Sequence, residues 1–392
     1  MARIVICGYM VRHPVAGNLM AYFHYVLGFA RLGHSVVYLE ESGWPAACYD
    51  PATGTYSDDP TAGLRAVRRL LTQSSLELPV YYVDRATGTV TGGTPAAVQA
   101  ALEGADLLLN VGGVCWMPAF ARCRRRALVD MDPVFTQLGQ FGGSHLADHE
   151  VLFSYGTNLG QAGCTAPTAG FTWHATVPPV VPELWPAVPA PPDGPFTTIA
   201  NWQAYGAAQH GGMHYGQKDE EFLRMRELPA MVPQRLELAL SGADAGTVAA
   251  LRVAGWSVRD GATVSSDLAA YRGYIAGSRG EFSVAKHAYV STRSGWFSDR
   301  TVCYLAAGRP AVLQDTGFDA WLPTGHGVLA IATPAEAATA LRQVDEDYAR
   351  HSQAAREIAR EVFDYRVVLP RLLAVALDGR ALARTPAGGG AA

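Results

Sequence analysis

Three observations predict an α/β protein of two Rossmann-like domains whose parallel sheets face a cleft. Apolar strand patterns alternate with helix patterns, the alternation restarts after a proline-rich stretch, and the chain of 392 residues is too long for one ordinary core. Runs such as ARIVIC and ADLLLN are apolar on both faces, as strands covered by helices on either side must be. Ligands of such sheets lie beyond the strand carboxyl ends, so the loops that follow the strands are where chemistry is expected.

In chain order, ARIVIC reads as the first strand, Gly8 to Gly17 as a loop, NLMAYFHYVLGFARLGH as a helix closed by Gly33, and SVVYLE as the next strand. The helix TPAAVQAALEG leads into ADLLLNVGG, and PAFARCRR leads into RALVDMD with Asp132 and Pro133 at its carboxyl end. The segment 177–196, VPPVVPELWPAVPAPPDGPF, has the composition of a stiff linker. It divides the chain into a domain at 1–176, the linker, a second domain at 197–375 and a flexible tail at 376–392. Beyond the linker follow FTTIANW, a helix near KDEEFLRMREL, RLELALSG, the helix DAGTVAALRVAG, WSVRDG, the helix SSDLAAYRGYIAGS and EFSVAK. The last long helix, around 335–363 or just beyond, is expected to pack back near the first domain.

Composition excludes several classes. Hydrophobic residues at 49% and charged residues at 17% describe neither a disordered chain nor one built of membrane spans. The formal net charge of -4 provides no basic field, so neither a nucleic-acid partner nor a membrane span is expected, and RCRRR at 122–126 reads as a solvated face. Six cysteines without a CxxC pair, together with an opening MARIVICGYM that lacks a leader pattern, predict free thiols and a cytoplasmic location. His145 and His149, and again His210 and His214, stand four apart but lack a third ligand, so no metal is expected. The first loop, GYMVRHPVAG, lacks the GxGxxG of a nicotinamide-dependent dehydrogenase.

The stretch STRSGWFSDRTVCYLAAGRP at 291–310 places a polar turn before a short helix. Ser298 is a good N-cap and Asp299 suits the positive first turn. Gly295 permits a tight turn whose amides, up to Arg300, converge on an anion, and Arg300 adds a bidentate phosphate contact. The plain alternative is a capped core helix with a surface arginine.

These residues, with FTTIANW, YGQK, GEFSVAK, YLAAGRPAV and DTGF, resemble the donor-binding domain of GT-B glycosyltransferases, most of all the bacterial spore-maturation type. The resemblance implies an acceptor-side first domain and a donor-side second domain. It also implies a nucleotide-diphosphate sugar as co-substrate, no further cofactor, and a soluble small-molecule acceptor, in a monomer or homodimer of specialised metabolism. Carried over, Ser294, Gly295, Trp296, Ser298, Asp299 and Arg300 face the diphosphate, Asp315, Thr316 and Gly317 approach the sugar, and Lys218 adds a cation. Gly261 and Val264, in RDGATV, receive the nucleobase. Many retaining relatives carry two glutamates eight apart; those positions here hold Gly295 and Cys303. A catalytic base must come from the first domain, and His13 and Asp132 are the candidates. A sugar-nucleotide epimerase and a non-catalytic nucleotide-sugar-binding or scaffold protein are the alternatives on this scaffold.

Overall fold

The computed structural model describes residues 1–139 and 145–378. The first half runs β1 (Arg3–Cys7), α1 (Ala16–Arg31), β2 (Ser35–Ser42), β3 (Cys48–Asp50), β4 (Thr55–Ser57), α2 (Thr61–Gln73), β5 (Val80–Asp84), β6 (Thr89–Thr91), α3 (Pro95–Glu103), β7 (Leu107–Val111), β8 (Arg126–Asp130), β9 (Val151–Ser154) and β10 (His174–Ala175). Its eight-stranded sheet is ordered β10-β9-β8-β7-β1-β2-β5-β6, and its one antiparallel pair is β5 with β6. The central β7, LLLNV, is buried at every position.

The second half runs β11 (Phe196–Asn201), the hairpin β12 (Ala208–His210) and β13 (Met213–Tyr215), α4 (Lys218–Arg224), β14 (Leu236–Ser241), α5 (Ala245–Val253), β15 (Ser257–Asp260), α6 (Gly261–Ser265), α7 (Leu268–Ala276), β16 (Gly280–Ser283), α8 (His287–Thr292), α9 (Asp299–Ala306), β17 (Ala311–Gln314), β18 (Val328–Ile331), α10 (Pro334–Glu346), α11 (Tyr348–Ile358) and α12 (Tyr365–Asp378). A six-stranded parallel sheet is ordered β15-β14-β11-β16-β17-β18. Aspartate caps set the helix starts here: Asp244, Asp260 and Asp267 each accept a hydrogen bond from an amide of the following first turn. A capping box of Thr333 and Glu336 opens α10.

The proline-rich segment is packed against both halves. The Val180 amide donates to the Phe363 carbonyl at 2.7 Å and the Tyr365 amide donates to the Val180 carbonyl at 2.9 Å, so the returning chain is paired with the outgoing one. Buried Arg309 donates to the carbonyls of Val188 at 3.0 Å and Ala276 at 2.6 Å. From this crossing α12 lies on α1, where a Cβ at Gly28 would stand 2.5 Å from Leu369 Cδ1 and 3.0 Å from Tyr365 Cβ. The tail expected at 376–392 lies outside the described residues beyond Asp378. No helix among the described residues is long and apolar enough to cross a membrane.

A second close approach positions the loop after β1. A Cβ on Gly63 in α2 would lie 1.9 Å from the Val11 carbonyl oxygen, a backbone atom with no freedom to swing aside. In an ordinary helix, Gly→Ala gains about 1 kcal/mol. Gly63→Ala should instead destabilise by about 1–3 kcal/mol, the usual cost of overpacking. Urea unfolding midpoints of the two proteins check the sign.

Candidate functional site

The site is built from the carboxyl ends of the second sheet and the start of α9. Ser298, extended at φ -80°, caps that helix by accepting from the Arg300 amide at 3.2 Å. Gly295 has φ +77°, and a Cβ there would lie 2.5 Å from Thr157 Oγ1 and 2.7 Å from Asn158 Cγ. Glycine is required twice over, for the left-handed turn and for the first-half loop pressed against it. Asn158 Nδ2 donates to the carbonyls of Arg293 at 3.1 Å and Gly317 at 2.9 Å. Ser294, Gly295, Thr316 and Gly317 are thus gathered, but at a junction sealed by residues 157–158.

Two expectations for this turn are corrected. The Gly295 amide donates to the Thr316 carbonyl at 2.8 Å and the Trp296 amide to Ser294 Oγ at 3.4 Å, so these two amides are spent within the protein and only those from Phe297 onward are left for an anion at the start of α9. Arg300 does not reach outward for a bidentate phosphate contact. Its Nε donates to Glu281 Oε1 at 2.7 Å, Nη1 to the Ile199 carbonyl at 2.7 Å and Nη2 to Ser283 Oγ at 2.8 Å. The cause is Glu281, a carboxylate on β16 with no exposed surface, which demands a counter-charge.

Lys218 opens α4 beside this cluster. Its Nζ lies 6.0 Å from the Trp296 ring centroid and has no hydrogen-bond or ion-pair partner among the described residues. Burial, then the charges of Arg300 and Lys286, pull its pKa down to about 7. Asp299, in the first turn of α9, is pushed the other way by burial, against the pull of Arg300 and Lys218. The result is a pocket edge carrying three cations, of which two are matched by carboxylates.

Lys286 is the other matched cation. Its Nζ donates to Asp132 Oδ1 at 2.8 Å and Oδ2 at 2.7 Å, and the hydroxyls of Tyr205 and Tyr289 donate to the same carboxylate. Asp132 reaches this place because buried Asp130, at the end of β8, accepts from the Asp132 amide at 2.8 Å and from Thr136 Oγ1 at 2.6 Å, turning the chain back. The expectation of Asp132 as base therefore gives way: every carboxylate oxygen is already engaged, and the residue ties the two halves together. His13 has no side-chain hydrogen bond among the described residues, and burial lowers its pKa, so its imidazole is neutral at pH 7.

Other expected site residues stand elsewhere. Asp315 holds its own turn, accepting from the Gly317 amide at 2.9 Å and Arg293 at 3.3 Å. Gly261 is closed in at the start of α6, where a Cβ would lie 2.4 Å from Ser241 Oγ. Val264 lines a groove with Pro192, Arg235, Arg259 and Tyr274, and the lining includes none of Lys218, Lys286 and Arg300. His210 and His214 fall on opposite strands of the β12–β13 hairpin, and His145 pairs with Asp148 at 2.9 Å. No group of three or more metal-ligating side chains forms among the described residues. Lys286, Tyr205, Tyr289 and Glu281 went unread; the charged residues bracketing the strand in GEFSVAK were the available signal.

No protein-family model matches the chain, and no curated protein matches its sequence. Solved structures do match. An α-glucosyltransferase in complex with UDP and a 13-mer DNA containing an HMU base superposes with a TM-score of 0.60 at 9% identity, over 96% of this chain and 99% of its own. Anabaena Alr3699/HepE in complex with UDP and glucose gives 0.57 at 13%, over 95% and 98%. AviGT4, a glycosyltransferase involved in avilamycin A biosynthesis, gives 0.53 at 12%, over 97% and 99%. The fold is GT-B. The exclusion of nucleic acid is overturned: a chain of this fold is solved with DNA bound, so net charge does not exclude such a partner here.

If Arg300 is a clamp on Glu281, Arg300→Ala leaves that carboxylate buried and unpaired and should cost about 3–5 kcal/mol of stability. Ser298→Ala should cost about 1 kcal/mol through the lost cap. Chemical denaturation of both variants checks the ranking.

Proposed function

We propose that the chain is a glycosyltransferase using a uridine-diphosphate sugar, with Lys218 as the cation that receives the diphosphate. The carrying observation is a half-buried lysine with no hydrogen-bonded or ion-paired carboxylate among the described residues, whose charge is disfavoured by its poor solvation and then by Arg300 and Lys286. A bound diphosphate removes that penalty, because it brings the counter-charge the protein omits. The UDP held by neighbours of the same fold agrees in kind. Within the fold, the spore-maturation likeness rests on the SGWFSDR and YLAAGRPAV segments.

In transfer, an acceptor oxygen bonds to the anomeric carbon as the bond from that carbon to the diphosphate oxygen breaks. The leaving group departs with the electron pair, and charge gathering on it is stabilised where Lys218 and the positive start of α9 already stand. Arg300 acts from beneath, fixing the strand ends and raising the local potential. His13 is the group of the first half suited to take the acceptor proton. Cations of the protein fill the part that a divalent ion plays elsewhere, so donor binding should survive a chelator.

The pH dependence follows from the lowered Lys218 pKa. Diphosphate raises that pKa, so below about pH 7 the lysine is charged with or without ligand and affinity is at its full value. Above about pH 7 the free protein must take up a proton to bind, and affinity falls by up to about tenfold per pH unit. Lys218→Met should weaken UDP binding about 10- to 150-fold near neutrality, the range of a charge-assisted hydrogen bond, and should flatten this pH profile. Calorimetry between pH 6 and 9, with and without chelator, tests both. Donor turnover that requires an acceptor separates transfer from epimerisation or binding alone. An unaltered affinity in Lys218→Met would reject the assignment.

A further inference from the structure

Phe363 touches both the crossing between the halves and the turn that opens α9. Between α11 and α12 the chain makes a π-helical turn over Ala359–Phe363, and Asp364, at φ -56° and ψ 133°, then leaves helical geometry. Inserted turns of this kind are frequent where a helix serves a site. The last carbonyls of a helix that stops have no partner within it, and that of Phe363 accepts instead from the Val180 amide of the proline-rich segment. The Phe363 side chain has no exposed surface and stacks on Phe297, with ring centroids 4.9 Å apart and planes inclined by 20°. Phe318 and Trp321 complete the box. Their ring centroids lie 5.5 Å and 6.0 Å from that of Phe297, and Trp321 lies 6.2 Å from Phe363, with planes inclined by 87°, 76° and 76°. Offset-stacked and edge-to-face pairs are the favoured arrangements of such rings.

Phe297 lies in the turn before α9, and that turn is fixed along most of its length. The Gly295 carbonyl accepts from Trp321 Nε1 at 3.1 Å and from Thr157 Oγ1 at 3.2 Å, and the Trp296 carbonyl accepts from Thr316 Oγ1 at 2.6 Å. The amides of Phe297 and Ser298, by contrast, have no acceptor among the described residues, although the two residues are only 2% and 6% exposed. Backbone donors in such places are nearly always paired, and two consecutive ones left open at a helix start suit an anion. Phe297 carries no polar side-chain group, so ring packing is what its side chain contributes to their aim. Of the four rings in the box, Phe363 is the one also joined through its backbone to the proline-rich segment.

We propose that Phe363 is a positioning residue for the donor: its ring, acting through Phe297, holds the amides of Phe297 and Ser298 where the diphosphate is received. The proposal rests on the transferase reading above. Phe363 itself touches no substrate. Because its carbonyl also holds the Val180 amide, the aim of the two donors is tied to the crossing between the halves by a single residue. Replacing the flat ring by a branched chain keeps the box apolar but lets Phe297 turn, and the two hydrogen bonds to the diphosphate lose their convergence. Lys218 stays in place, so part of the donor affinity survives.

The test uses the full chain and compares Phe363→Leu, Phe297→Leu, the double variant and Leu341→Ala, a truncation of a fully buried side chain in the separate core of the second half. UDP affinity, measured by calorimetry, should fall about 2- to 12-fold in Phe363→Leu, the range of an aromatic pair. The double variant should bind no more weakly than Phe297→Leu alone, because one residue acts through the other. Leu341→Ala should lower the melting temperature at least as much as Phe363→Leu while UDP affinity stays within about twofold of the parent, which separates positioning from loss of stability. In the free protein with nitrogen-15-labelled phenylalanine, the Phe297 amide, assigned by its loss in Phe297→Leu, should exchange with water at least about threefold faster in Phe363→Leu than in the parent. Unchanged UDP affinity in Phe363→Leu, single effects that multiply in the double variant, or an equal loss of affinity in Leu341→Ala overturns the proposal. If the parent protein fails to bind UDP, the transferase reading falls, while the Phe297 exchange rate still reports whether Phe363 holds the turn. Should Phe363→Leu fail to fold, Phe363→Met carries the same measurements.

Discussion

The placement of positive charge behind the interface between the halves is the constraint on which the site depends. Arg300 and Lys286 are nearly buried, and each holds its charge because a carboxylate faces it, Glu281 for one and Asp132 for the other. Lys218 lies in the same field without such a partner, and poor solvation, then the charges of Arg300 and Lys286, lower its pKa. Charge left without a paired partner in a poorly solvated place is costly to a fold. The pairing of the other two keeps the cost confined to one residue.

The same residues couple the halves. Asp132 crosses from the first half into a pocket of Lys286, Tyr205 and Tyr289, while Asn158 donates to turns on either side of α9. The cap of α9, the left-handed turn at Gly295 and the loop at 157–158 are therefore one mechanical unit, and a change in the angle between halves must move the start of α9. Domain closure in two-domain enzymes commonly works through such contacts. Here the clasp and the cation cluster share Lys286, which pairs with Asp132 across the halves.

The sheets and most helices were legible because their signals are local. LLLNV at the centre of the first sheet, the aspartate caps of α5 and α7, and the Ser298 start of α9 each follow from a few adjacent residues. Partnerships were not legible. Nothing near Arg300 in the chain announces Glu281, which meets it only because β16 ends beneath α9, and Asp132 resembles an ordinary residue before proline until Lys286 arrives from the other half. The meeting of Tyr9, His13, Tyr49 and Tyr56 was illegible for a similar reason: they are separate in sequence and come together where a hairpin folds over the first loop.

The ionisation of Lys218 itself is the most direct observable. Carbon-13 NMR of the lysine ε-methylene groups, with Lys218 assigned by substitution, follows this single titration in the free protein and with UDP bound. A free pKa near 7 that moves upward by at least about one unit on UDP binding, equivalent to about 1.4 kcal/mol of mutual stabilisation, is the predicted result. A free pKa in the ordinary lysine range, or one that UDP leaves unmoved, would contradict the assignment of this residue to the diphosphate.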